Sequence, residues 1–268
     1  MKSFKILALL VILLESGYSN SQDFEVAPTK LNYDCEGGQT QTKIVSVKNH
    51  SNQKGKFILT VSDLVLDSLG NKKKVASNTK VENSCKDWIT ISPAFFDLNP
   101  NESAEVKVVM QVPSGHSETR WAIIQVNATD EQTSMEADKA MRTGIKVKPR
   151  IGIRVVQSPK SNKNYKGSIG DLTETTGAKD TVRTFTAKVS NTGDKVLEAK
   201  VYLILSDLET AKEIKAKPDR ITVMPGNKRI VKLMLPAGVP PGKYSLAVIL
   251  DYGNNSTLEA AQMNIEVK

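Results

Sequence analysis

Apolar side chains fall on alternate positions in short runs along most of this chain, the period of strands with one face buried. The longest run is Met141 to Val156. Ile145, Val147, Pro149, Ile151, Ile153 and Val155 share one parity, and Lys146, Lys148, Arg150 and Arg154 share the other. A strand there presents one greasy and one cationic face. Pro149 removes a ladder donor, which suits a sheet edge. Two outcomes follow for the stripe: it closes its own domain's core, or it pairs with a strand from another chain.

The flanking sequence repeats the pattern. Before this run, FEVAPTKLNYD, QTKIVSVKN, KFILTVSDLVL, WITISPAFFDL, AEVKVVMQV and RWAIIQVNA alternate with turns rich in Gly, Asn, Pro and Ser. About seven strands is the count of an immunoglobulin-like sandwich. DSLGNKKK reads as a solvated hairpin tip, and TDEQTSMEADKA as a flexible loop ahead of the long strand. Residues 157–167 offer little to bury and read as a linker. Beyond them Phe185, Ala187 and Val189 share a face, as do Leu197, Ala199, Val201, Leu203 and Leu205.

The second half also matches the first in order. VSVKN to FILTVSD parallels AKVSN to VYLILSD, FDLNPNESAEVKVVMQVP parallels ITVMPGNKRIVKLMLPAGVP, and RWAIIQVNA parallels KYSLAVILDYG. The predicted fold is therefore all-β: two tandem immunoglobulin-like β-sandwich domains over residues 22–156 and 168–268.

Residues 1–21 read as a secretory signal peptide, with Lys2 and Lys5 before an apolar run and small residues at Ser19 and Ser21. No later segment is apolar enough to span a membrane, so the expected location is the periplasm, with secretion or the cell surface as the alternative. Removing Lys2, Lys5 and Glu15 lowers the formal charge from +8 to +7, a dispersed charge that favours solubility. The two cysteines, Cys35 and Cys85, both fall in the first domain. In an oxidising compartment they predict a disulfide, which would contribute about 4 kcal/mol.

Catalytic chemistry finds no purchase. His50 and His116 lack neighbours at metal-ligand spacing, and no phosphate cradle or nucleophile elbow is present. Asp63 and Asp67 read as loop polarity. Trp88 and Trp121 adjoin alternating runs and read as core or inter-sheet residues. The cationic strand face lacks the interleaved aromatics of a nucleic-acid site. The expectation is a protein without catalytic residues, metal or cofactor, and without nucleic-acid binding. Sequons at Asn49, Asn101, Asn127, Asn254 and Asn255 matter only in a host that glycosylates them.

PTKLNY, VSVKN, ISPAFFDLNP, RWAIIQV and the loop before the long alternating strand together resemble the PapD-like periplasmic chaperones, which assemble pili and other surface structures. The resemblance covers most of the first domain; the second is similar only in strand rhythm. It implies that the long strand is lent to an incomplete subunit, a role that would fall on Ile145, Val147, Pro149, Ile151 and Ile153. The family also anchors a subunit's terminal carboxylate with an Arg in the first strand and a Lys in the long strand. This chain offers Lys30 and, at the second position, Gly152, flanked on the same face by Arg150 and Arg154. The expected partners are exported subunits or components of a surface structure. A surface structural or adhesion module that binds cell-wall or partner proteins is the alternative.

Overall fold

The computed structural model describes residues 23–73, 75, 79–129, 149–177, 181–253 and 258–268. The predicted leader, Ile145 and Val147 lie outside the described residues, as do Asn254 and Asn255.

The first domain contains β1 (Phe24–Ala27), β2 (Lys30–Tyr33), β3 (Thr40–Asn49), β4 (Gly55–Ser62), β5 (Val65–Leu66), β6 (Lys72–Lys73), β7 (Ile89–Ser92), β8 (Phe95–Leu98), β9 (Ser103–Gln111), β10 (Arg120–Thr129) and β11 (Arg150–Gln157). One sheet has the order β1-β3-β9-β7 and the other β2-β11-β10-β4-β8. Their inner faces enclose one core that includes Phe24, Val45, Phe57, Val106, Ile124 and Ile153. Tyr33 crosses this core, its hydroxyl donating to the Val108 carbonyl of the opposite sheet at 2.8 Å. The chain changes sheets at Pro28, after a cis Ala27-Pro28 bond: β1 pairs with β3 in one sheet, β2 with β11 in the other.

The second domain contains β12 (Gly167–Glu174), β13 (Thr184–Asn191), β14 (Leu197–Asp207), β15 (Glu213–Lys215), β16 (Asp219–Val223), β17 (Lys228–Met234), β18 (Gly242–Asp251) and β19 (Glu259–Val267). It is an all-β sandwich like the first. The order β19-β18-β14, with β16 on the far side of β14, repeats β11-β10-β4-β8, and the neighbours β13-β17 repeat β3-β9. The five residues predicted to share a face of β14 all lie in the second core. Asn49 and Asn191 end the corresponding strands β3 and β13, and both side chains are buried. Asn49 donates to the carbonyls of Gln53 and Leu98 at 2.8 and 3.1 Å. Asn191 donates to those of Lys195 and Val223 at 2.7 and 2.9 Å. The repeated Val-x-Asn signal therefore marks one turn-fastening device used twice.

Two expectations are corrected. Cys35 and Cys85 are free thiols, both buried. They are held by different partners: the Cys35 thiol lies 3.5 Å from Gln41 Oε1 of β3, whereas the Cys85 amide donates to the Trp121 carbonyl of β10. Burial pushes the Cys85 thiol up to about 12 and raises Cys35 as well.

The second correction is the hairpin tip between β5 and β6, which is not simply solvated. Asp67 Oδ1 accepts from the amides of Leu69 and Asn71 at 2.9 and 2.8 Å, and the Ser68 carbonyl accepts from Ile230 of the second domain at 2.6 Å.

The linker between the domains is fastened at several points. Glu36 accepts from the Ser161 amide and hydroxyl at 2.9 and 2.7 Å. Lys195 Nζ donates to Ser158 Oγ and the Pro159 carbonyl at 2.7 and 2.8 Å. Leu64, Trp121 and Val156 pack with Met224 of the second domain, so Trp121 is a seam residue, its indole N–H bonded to the Leu64 carbonyl at 2.8 Å.

Candidate functional site

The long strand divides into two regimes. Along its whole described length β11 pairs antiparallel with β10, from Arg150↔Asn127 to Gln157↔Arg120. On its other side β2 pairs in parallel, only from Lys30↔Arg154 to Tyr33↔Gln157. The Arg154 amide donates to the Thr29 carbonyl at 3.0 Å, which fixes the side to which its polar groups point. Backbone groups two and four residues earlier point the same way. The N–H and C=O of Gly152 and Arg150 therefore face a flank where, among the described residues, no strand pairs. The edge is open because the chain ahead of Lys30 has crossed to the other sheet at Pro28.

The apolar stripe is split accordingly. Ile153 and Val155 are fully buried in their own domain's core and Ile151 packs partly against it. Ile153 is thus removed from the expected partner-binding set: an aliphatic side chain already sealed between two sheets has no surface to lend. Pro149 is half-buried and begins the open part of the strand.

The cationic residues separate in the same way. Pairing opposite one another, Lys30 and Arg154 extend from the outer face of the sheet toward the second domain, where both meet one carboxylate oxygen of Glu198. Lys30 Nζ hydrogen-bonds Glu198 Oε1, and Arg154 Nη2 lies 3.6 Å from the same atom. A cavity of about 470 Å³ opens beside them between the domains, lined also by Tyr33, Tyr165, Lys195 and Tyr252. Lys195 is buried there, and desolvation followed by the charge of Lys163 lowers its pKa.

Arg150 points elsewhere. Its Nη1 donates to Gln125 Oε1 at 2.9 Å, in a basin shared with Lys72 and Lys73, where burial and then the Arg150 charge lower the pKa of Lys72. Of the two arginines flanking Gly152, Arg154 is therefore the one beside Lys30. Gly152 itself sits under Ile123: an added Cβ would come within 2.8 Å of Ile123 Cδ1, so this position does not take a lysine without moving that side chain. Sequence reading missed Glu198 altogether, because nothing in the alternation of β14 distinguishes it from any outward-facing charge.

Among the described residues no group of three or more His, Cys, Asp or Glu could hold a metal ion, and no helix is long and apolar enough to cross a membrane.

Fold and edge together define a two-domain immunoglobulin-like sandwich protein with a half-open strand at the mouth of its interdomain cleft. Several solved structures similar to it in fold are fimbrial chaperones. They include a chaperone–tip adhesin complex of CFA/I fimbriae biogenesis, at 10% identity over 91% of this chain and 98% of that one, TM-score 0.49. The E. coli chaperone DraB matches at 16% identity over 90% and 98%, TM-score 0.44. The CsuC–CsuE chaperone–tip subunit complex of Acinetobacter baumannii matches at 13% over 91% and 98%, TM-score 0.46. The likeness is one of fold. No protein-family model and no curated protein matches the sequence.

Proposed function

We propose that this protein is an exported, non-enzymatic assembly chaperone that captures a surface-structure subunit by β-strand addition through the 141–156 strand. The observation that carries the reading is the coincidence of an edge at Arg150–Ile153, unpaired among the described residues, with the Lys30/Arg154 pair at its end. Ladder hydrogen bonds would supply affinity and alternate side chains selectivity. The side chains lent to the client are Ile145, Val147 and Pro149, upstream of the sealed residues.

One direction of the client strand is favoured by the geometry. β2 runs parallel to β11 and begins at Lys30. A client strand laid along the open edge in the same direction ends where β2 starts, and so delivers its C-terminal carboxylate to Lys30 and Arg154. An antiparallel client would bring an ammonium to two cations instead. Parallel addition with a terminal carboxylate is the arrangement that satisfies both backbone and charge.

The burial of Ile153 and Val155 favours the second reading, a surface structural module whose stripe is permanently internal. Ile145→Asp and Val147→Asp variants separate the two. For a chaperone, co-purification with its exported subunit is lost while the urea midpoint of the free protein is unchanged. Undiminished capture by a folded double variant rules out strand addition.

A further inference from the structure

Among the described residues Glu198 is the one acidic side chain paired with both Lys30 and Arg154, and it comes from the other domain. Its Oε1 sits between the Lys30 ammonium and the Arg154 guanidinium, the place the proposed function gives to a client's terminal carboxylate. The chemistry of occupant and ligand is the same. We infer that Glu198 is a built-in competitor for that site, so that a client carboxylate binds by displacing the second domain's own. The inference rests on the carboxylate-receiving role proposed for Lys30 and Arg154.

Three observations support a displaceable latch over a permanent strut. The Glu198 side chain is 54% exposed, so an incoming carboxylate reaches the same cations without first opening a dry interface. Exposed ion pairs are weak and screened by salt. The domains are also held together independently, by Lys195 on Ser158 and Pro159, by Glu36 on Ser161, by Ile230 on Ser68 and by the Trp121–Met224 cluster. Release of Glu198 therefore frees two cations without separating the domains. A tethered carboxylate competes at a high effective concentration, and for pairs of this exposure the suppression of an external carboxylate is about fivefold.

The test uses the full chain and acetate as the simplest carboxylate, read from the Arg154 Nε–Hε NMR signal, assigned through Arg154→Lys. In Glu198→Gln the acetate concentration at half-saturation falls about fivefold from wild type, and Lys30→Met abolishes the saturable shift in both backgrounds. Glu198→Ala gives the same reading independently of any residual hydrogen bond from Gln. Equal half-saturation in wild type and both Glu198 variants overturns the latch. A second arm uses an alternating Val-Thr peptide with a free or amidated C-terminus. If the acetate response is as expected but neither peptide binds, strand capture fails and the latch stands. If the free peptide binds wild type better than its amide but Glu198→Gln adds nothing, strand capture stands and the latch fails.

Discussion

Ile153→Ala tests the division of the long strand most directly. Ile153 is fully buried, packed between the two sheets of the first domain, whereas Ile151, two residues earlier on the same face, is only partly covered. Truncating a sealed isoleucine removes its transfer energy and leaves a cavity, at about 2–5 kcal/mol; a half-covered one costs about 1 kcal/mol. With a urea dependence of about 1.5–2 kcal/mol per molar for a domain this size, the expected midpoint shift is roughly 2 M for Ile153→Ala and about 0.5 M for Ile151→Ala. Trp88 and Trp121 are the chain's only tryptophans and both belong to the first domain, so their fluorescence reports that domain's unfolding. Equal shifts, or an unmoved midpoint with loss of partner capture in Ile153→Ala, would show that the residue faces outward and that the split of the stripe is wrong.

Two further outcomes follow. Because burial raises both thiols, Cys85 to about 12, the native protein at pH 8 leaves a thiol reagent such as DTNB unreacted, and both cysteines titrate on urea unfolding without reductant. An unfolded chain with no free thiols would refute the free state of the pair. Asn49→Ala and Asn191→Ala each orphan at least two carbonyls, Leu98 with Gln53 and Val223 with Lys195, at about 2–4 kcal/mol. Hydrogen exchange should place each loss in the mutated domain alone; an effect below about 1 kcal/mol at either site would remove the asparagines as turn fasteners.

What the sequence determined by itself was local: the period-2 alternation, the turns, the repeat that makes two sandwiches, and the faces of β13 and β14, whose inward residues the structure buries as the parity requires. A strand's two faces follow from its own side chains, so they can be read without knowing its neighbours. Which edge is open cannot, because that depends on where another segment leaves the sheet, here the crossing at Pro28 that ends the β2 ladder at Lys30. The same limit explains the rest. Parity put Ile151 and Ile153 in one stripe, but burial depends on how far the opposing sheet extends, and the fold sealed Ile153 while covering Ile151 only in part. The spacing of Cys35 and Cys85 carried no information about the different partners that hold each of them. Lys30, Arg154 and Glu198 converge from three strands in two domains, and a charge 168 residues away leaves no local mark on the residues it meets.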